Sequence, residues 1–129
     1  MNGNGFLLDT NAIVQLLKGN AELAKVVSEA DFIATSVIAE MEFLSFSELS
    51  ENDKMLFRAF KSRIEVYDVP SDDPELMQLV VDSRIKFSLK LPDAIIAGTA
   101  MLHGLTVLTA DDHFKKENAP WKARLFATC

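Results

Sequence analysis

The sequence has little of what several classes of functional site require. Cysteine occurs once, as Cys129, so a disulfide framework within the chain and a cysteine metal site are both excluded. Histidine occurs twice, as His103 and His113, which disfavours a zinc site, and His113 has the sequence context of a solvated loop residue. The motif G-x-S-x-G is absent, so nothing supports a serine hydrolase.

Long apolar runs and an excess of positive charge are also missing. No run approaches the roughly 18 residues expected of a membrane-spanning helix, and the first ten residues lack the pattern of a signal peptide. Lysine and arginine number 13 against 19 acids, for a net charge of −6 at pH 7. Binding of nucleic acid through bulk positive charge is therefore disfavoured, whereas binding of phosphates through bound cations is compatible. We expect a soluble protein of the cytoplasm with no membrane partner.

The length and composition predict a single domain over residues 1–129. With 49% hydrophobic residues, the chain can bury a sizeable core, but it is too short for two ordinary domains. Neither an internal repeat nor a low-complexity linker interrupts it.

Short apolar segments alternate along the chain with helical patterns. This alternation predicts a parallel sheet covered by helices on both faces, a three-layer α/β/α architecture. In such sheets, ligands bind beyond the carboxyl ends of the strands. The segments that predict strands are "GFLLD", "DFIATS", "IEVYDV", "LTVLT" and "ARLF".

Three aspartates occupy junctions of this pattern. Asp9 follows the first predicted strand and Asp111 comes just after a later one, so both would lie at one edge of a parallel sheet. Asp93 lies in the first turn of the most apolar predicted helix, where the helix dipole favours negative charge. Taken singly, Asp9 and Asp111 are better explained as helix N-caps, which is the commoner role of an acid at such a junction.

Glu40 is harder to explain as ordinary surface. Val37, Met41 and Leu44 predict the core-facing stripe of the helix after the second strand, and Glu40 falls on that stripe. Glu42 is expected to point elsewhere. A carboxylate on a core-facing stripe is costly to bury unless it is paired or binds a metal.

Convergence of these acids would constrain the chemistry. Several carboxylates in one small site repel each other and raise their pKa values unless divalent cations offset the charge. Oxygen ligands of this kind suit Mg²⁺ or Mn²⁺. With one ion, or two about 4 Å apart, such a cluster can hydrolyse a phosphodiester.

The stretches "LLDTNAIV", "SVIAEMEF" and "PDAIIAGTAMLHGLTVLTADDHF" resemble the four acidic motifs of PIN-domain ribonucleases, in the same order and with similar separations. The resemblance runs from Phe6 to Phe114, and the short chain is similar to VapC-type toxins of type II toxin-antitoxin systems. It implies a PIN-like domain with a mainly parallel sheet of about five strands. It also implies a Mg²⁺- or Mn²⁺-dependent endoribonuclease that uses an activated water, a homodimer, and a cognate antitoxin partner.

The resemblance extends to individual residues. Between the two candidates for the fourth acid, Asp111 and Asp112, the spacing from Thr109 favours Asp111, although a shift of one residue in the loop would exchange them. The catalytic and metal-binding residues implied are Asp9, Glu40, Asp93 and Asp111, and the supporting residues are Thr10, Asn11, Thr109 and Asp112.

Two other interpretations compete with a nuclease. A catalytically silent PIN-like binding or assembly module would share the fold, but the presence of all four acids argues against loss of the site. A phosphatase of haloacid-dehalogenase type would use Asp9 as nucleophile and needs an acid two positions later, where Asn11 stands.

Overall fold

The computed structural model describes residues 4–128. Cys129 therefore lies outside the described residues, and so do the first three residues of the segment that was compared with a signal peptide. Within this range, five strands form one sheet in the order β3-β2-β1-β4-β5, and every neighbouring pair is parallel. The prediction of an α/β fold with a parallel sheet of about five strands is confirmed. The strands are β1 (Gly5–Leu8), β2 (Phe32–Ser36), β3 (Glu65–Tyr67), β4 (Thr106–Thr109) and β5 (Lys122–Leu125).

Six α-helices connect the strands in the described part of the chain, and none of them is long and apolar enough to cross a membrane. Local signals account for several of their ends. Ser50 and Asp53 form a reciprocal capping box, and Asp73 caps a helix that has Pro74 in its first turn. The helices are α1 (Thr10–Leu17), α2 (Ala21–Glu29), α3 (Val37–Leu44), α4 (Glu51–Lys61), α5 (Pro74–Phe87) and α6 (Leu91–Leu102), and a short 3-10 helix spans Asp112–Phe114.

The central strand β1 shows how the core is divided. All four of its residues are buried, and their side chains alternate between the two faces of the sheet. Leu7 belongs to a cluster with residues of α5 and α6, whereas Phe6 and Leu8 belong to a cluster with residues of α1 to α4. These two clusters give the α/β/α layers.

The helices α5 and α6 approach each other closely at Gly98. A Cβ atom at this position would lie 2.8 Å from Val80 Cγ2. Glycine therefore fits this packing distance without strain, whereas an alanine would force Val80 to shift.

Helix α3 departs from the predicted stripe. Its buried residues are Ala39 and Phe43, while Met41 and Leu44 are 51% and 45% exposed. Phe43 stacks on Phe57 of α4, with ring centroids 4.9 Å apart, and this contact fixes the rotation of the helix. The predicted stripe of Val37, Met41 and Leu44 is wrong because α3 is apolar on several sides and its partner helix decides which side is buried.

The register of the sheet brings the strand ends together. Leu8 is paired with Thr35 of β2 on one side and with Leu108 of β4 on the other. The backbone N–H of Asp9 then donates to the carbonyl of Leu108 at 3.3 Å. Residues that follow β1 and β4 therefore meet at one edge, as expected for parallel neighbours.

Candidate functional site

A cavity of about 240 Å³ opens at this edge of the sheet. It contains four carboxylates, contributed by the end of β1, by α3, by the first turn of α6 and by the loop after β4. Neither lysine nor arginine is among the described residues that line it. The lining residues are Asp9, Thr10, Asn11, Glu42, Phe46, Asp93, Ile96 and Asp111.

Asp9 is the most buried of these acids, with 5% of its surface exposed. Its Oδ1 accepts a hydrogen bond from the backbone N–H of Ala12 at 2.9 Å, which caps α1, and its Oδ2 accepts one from the hydroxyl of Thr109. Burial raises the pKa of Asp9 from 3.8 to about 6, even though both hydrogen bonds act to lower it. The negative charges of the nearby Asp111 and Asp93 contribute smaller parts of this rise in pKa.

Asp93 and Asp111 both line the cavity, and a carboxylate oxygen of one lies within 4.8 Å of a carboxylate oxygen of the other. The pKa of Asp93 is raised, first by burial and then by the charge of Asp111. Asp111 caps the 3-10 helix, because its Oδ1 accepts from the backbone N–H of His113 at 2.9 Å. Its own backbone N–H donates to Thr109 Oγ1 at 2.9 Å, so one hydroxyl group connects Asp9 with Asp111.

Glu42, rather than Glu40, reaches this cavity from α3. Glu42 Oε1 accepts a hydrogen bond from Thr10 Oγ1 at 2.6 Å. Glu40 Oε2 instead forms an ion pair with Lys61 Nζ of α4 at 2.7 Å, and the side chain of Glu40 is 16% exposed. The prediction that Glu42 points elsewhere is wrong, because α3 turns Ala39 and Phe43 toward the core and Glu42 and Glu40 to its two flanks.

The predicted supporting residues divide between the cavity and its surroundings. Thr10 and Asn11 line the cavity, and Thr109 lies directly behind two of the acids. Asp112 is exposed and does not contribute to the lining, so Asp111 is the aspartate that this loop presents to the cavity.

His113 lies beside two of the acids, although its sequence context is that of a solvated loop residue. Its Nδ1 lies 3.1 Å from Asp111 Oδ2 and 3.9 Å from Asp93 Oδ2. The signal that could have identified it is its position two residues after Asp111, in a turn that Asp111 itself caps.

The donor set of the cavity fits a divalent cation. Its four carboxylates supply oxygen ligands, and neither lysine nor arginine is among the described residues of its lining, so a bound cation would offset their charge. One ligand atom from each of Asp93, Asp111 and His113 lies within 4.8 Å of the other two. Ligands of one ion at bond lengths of about 2.1 Å have mutual separations in this range.

Comparison with models of protein families identifies the family of this chain. The family model for the PIN domain matches residues 6–118, which includes all four acids of the cavity. The chain belongs to the PIN domain family. This membership supports nuclease activity in general, and no curated protein gives a significant match.

Solved structures of PIN domains match nearly the whole chain. A toxin-antitoxin complex from Klebsiella pneumoniae has a TM-score of 0.74 and 26% identity, over 92% of this chain and 99% of that one. VapBC2 from Rickettsia felis, bound to a promoter DNA fragment, has a TM-score of 0.78 and 19% identity, and the match covers 95% of this chain and 98% of that one. DNA-bound VapBC from Salmonella typhimurium has a TM-score of 0.72 and 24% identity, and the match covers 93% of this chain and 96% of that one. The latter two matches establish the fold alone.

Proposed function

We propose that this protein is a divalent-metal-dependent endoribonuclease and the toxin of a type II toxin-antitoxin pair. The observation that carries the proposal is the convergence of Asp9, Glu42, Asp93 and Asp111 on one cavity of a PIN domain, with no lysine or arginine in its described lining. Glu42 takes the place that the sequence analysis gave to Glu40, whose carboxylate is engaged by Lys61. The choice of RNA as substrate rests on the resemblance to PIN-domain ribonucleases.

The cavity residues would hold Mg²⁺ or Mn²⁺ through carboxylate oxygens. When bound, such an ion offsets carboxylate charge, lowers the pKa of a water and stabilises charge on a reacting phosphate. Asp9, Asp93 and Asp111 are the ligands proposed, and Glu42, held by Thr10, completes the set or orients the attacking water. The chemistry requires no covalent nucleophile from the chain.

Hydrogen bonds keep these acids in place before any ligand arrives. The Thr109 hydroxyl donates to Asp9 and accepts from the backbone N–H of Asp111, so the two acids keep a fixed separation. A site held in this way loses little conformational entropy when it binds an ion and substrate.

A small cavity on the other side of Asp93 offers positive charge for the RNA backbone. It measures about 90 Å³, and Ser88, Lys90, His113 and Lys116 contribute to its lining. Among the described residues, Lys90 and Lys116 form no ion pair within 4.0 Å, so their charges are available to phosphates. The RNA would therefore enter beside α6.

The antitoxin would bind a groove next to the acidic cavity. This groove has a volume of about 350 Å³ between α1 and the segment that joins α3 to α4, and it shares Asn11 and Phe46 with the acidic cavity. Val14, Phe43 and Leu49 give it an apolar lining. A segment lying there would reach the acids directly, and the similar Klebsiella pneumoniae protein was solved as a toxin-antitoxin complex.

A homodimer is the assembly that we propose for the free protein. Met77, Val81 and Ile85 of α5 recur every four residues and are 53%, 39% and 74% exposed, which makes an apolar stripe on one face of the helix. A second copy of the chain would cover this stripe. The cytoplasmic location and the single-domain organisation stay predictions.

The test is cleavage of a fluorescently labelled RNA by the purified chain, with Mn²⁺ and with chelator. Asp93→Asn should abolish cleavage that depends on the metal, because it removes a charged ligand. The matched control is Asp82→Asn, at an aspartate of α5 that contacts Gln78 and Lys86 on the surface. Circular dichroism spectra check that both variants fold.

The outcomes separate the proposed function from its rivals. Loss of cleavage in Asp93→Asn and retention in Asp82→Asn support the assignment. Full activity of Asp93→Asn and Asp9→Asn would refute it. Absence of cleavage by the unmodified protein, with RNA binding retained, would favour the catalytically silent binding module.

A further inference from the structure

We propose that His113 binds the divalent ion through Nδ1 and that this nitrogen makes the site select Mn²⁺ over Mg²⁺. The inference rests on the proposed function, since it assumes that the acidic cavity holds an ion. It goes further by naming a ligand outside the carboxylates and by deriving a metal preference from it.

The distances around His113 match those between ligands of a single ion. Nδ1 is 3.1 Å from Asp111 Oδ2 and 3.9 Å from Asp93 Oδ2. With bonds of about 2.1 Å, adjacent ligand atoms of an octahedral ion are about 3 Å apart and opposite ones about 4.2 Å apart. The two observed separations lie within this span, so one ion could contact all three side chains with small adjustments.

The local fold keeps His113 on the side of the acids. Asp111 Oδ1 accepts from the backbone N–H of His113 at 2.9 Å, which leaves Asp111 Oδ2 on the side of the imidazole. The next residue, Phe114, is 1% exposed, and its carbonyl accepts from Trp121 Nε1 at 2.7 Å. The backbone of His113 is therefore anchored at both ends, although its side chain is 58% exposed.

A simple hydrogen bond is the competing explanation for this geometry. In that case, Nδ1 carries a proton and donates it to Asp111, and His113 only positions the carboxylate. The two roles exclude each other at the same atom, because a nitrogen that donates a proton has no lone pair for a metal. The distinction is therefore open to direct spectroscopic measurement.

The preference for Mn²⁺ follows from the chemistry of the added ligand. Mg²⁺ binds oxygen ligands and retains several waters, whereas imidazole is a better ligand for first-row transition ions. Removing the nitrogen should weaken Mn²⁺ binding and leave Mg²⁺ binding almost unchanged. The ratio of the two affinities therefore reports on His113 specifically.

The experiment uses the full chain without an affinity tag, loaded with Mn²⁺ and studied by pulsed electron paramagnetic resonance and calorimetry. His103 and His113 are the two histidines of the sequence, so a coupling of an imidazole nitrogen to Mn²⁺ has few possible sources. We expect this coupling in the unmodified protein and its loss in His113→Ala. The Kd for Mn²⁺ should rise about tenfold in that variant, with a change of less than about twofold for Mg²⁺.

Two further variants make the outcome specific. His103→Phe replaces a histidine that stacks on Tyr67 with ring centroids 3.8 Å apart, and it should keep both the nitrogen coupling and the affinity for Mn²⁺. His113→Asn retains a hydrogen-bond donor for Asp111. If it restores Mn²⁺ affinity without nitrogen coupling, His113 is a positioning residue and the proposal is overturned.

Failure of this inference can be distinguished from failure of the proposed function. Mn²⁺ binding that is lost in Asp93→Asn but shows no nitrogen coupling in the unmodified protein would overturn the role of His113 and leave the acidic site intact. Equal or absent Mn²⁺ binding in the unmodified protein and in Asp93→Asn would overturn both.

Discussion

The two glutamates of α3 provide a decisive test of the site, because they are of the same type and two residues apart. Glu42 lines the acidic cavity and accepts from Thr10 Oγ1, whereas Glu40 pairs with Lys61. We predict that Glu42→Gln abolishes most metal-dependent cleavage and that Glu40→Gln retains it. Glutamine keeps an acceptor oxygen for Thr10, so the first change removes a charge and little else.

Glu42→Gln should mainly affect metal binding and catalysis, whereas Glu40→Gln should mainly affect stability. Loss of the Glu42 charge should weaken metal binding by about 10- to 100-fold, with a similar loss in kcat/KM below saturating metal. Glu40→Gln removes a pair in which Lys61 is 43% exposed, so the cost to stability is about 0.5 to 1 kcal/mol. For a chain of this size, that is a decrease in Tm of about 2 to 4 °C.

Both effects are measured on the same preparations. Cleavage of labelled RNA is followed over a series of Mn²⁺ concentrations, and thermal unfolding is followed by circular dichroism in the presence of chelator. If Glu40→Gln were inactive while folded, and Glu42→Gln were active, the assignment of Glu42 to the site would be refuted. Full activity of both variants would show that neither glutamate takes part.

Three further predictions concern the buried acid, the metal and the helix packing. Burial raises the pKa of Asp9 from 3.8 to about 6, so folding favours its protonated form. The metal-free protein should therefore lose about 3 kcal/mol of unfolding free energy as the pH rises from about 3, below the unfolded pKa, to about 7, above the folded one. Asp9→Asn should remove most of this slope in urea unfolding, and an unchanged slope would contradict the assignment. Mn²⁺ at about 100 times its Kd should stabilise the unmodified protein at neutral pH by about 2.7 kcal/mol, and much less in Asp9→Asn; no change in Tm would count against the site. Gly98→Ala should cost about 1 to 2 kcal/mol, because its Cβ would meet Val80 Cγ2 at 2.8 Å. In a Val80→Ala background the same change should be neutral or stabilising, and an equal cost in both backgrounds would exclude this contact as the cause.

Much of the fold could be predicted from local sequence signals, because they agree with the tertiary structure. The run "GFLL" is apolar throughout since β1 is the central strand and is covered on both faces. The caps at Ser50 and Asp73 are residue types that favour helix N-termini, and each accepts a backbone N–H in the structure. The positions of Asp9 and Asp111 at one sheet edge follow from parallel pairing of β1 with β4, which the alternation of strands and helices already favours.

The contribution of α3 to the site could not be predicted in the same way. An eight-residue helix has little more than two turns, and "VIAEMEFL" presents apolar side chains in most directions. Its rotation is set by Phe57, which lies in another helix and stacks on Phe43. Glu40 forms its ion pair with Lys61, which also lies outside α3, 21 residues later in the sequence. No pattern within α3 contains this information.

The question whether Asp9 and Asp111 are helix caps or site residues is resolved by their individual oxygen atoms. In each residue, Oδ1 accepts a backbone N–H at 2.9 Å, and Oδ2 faces another site group, Thr109 or His113. A carboxylate has about four acceptor positions, so the cap leaves capacity for a metal or a proton donor. The cap also fixes the direction of the carboxylate, which a precise metal site requires. Capping and ligation are therefore compatible in these two residues, and the caps are part of what positions the site.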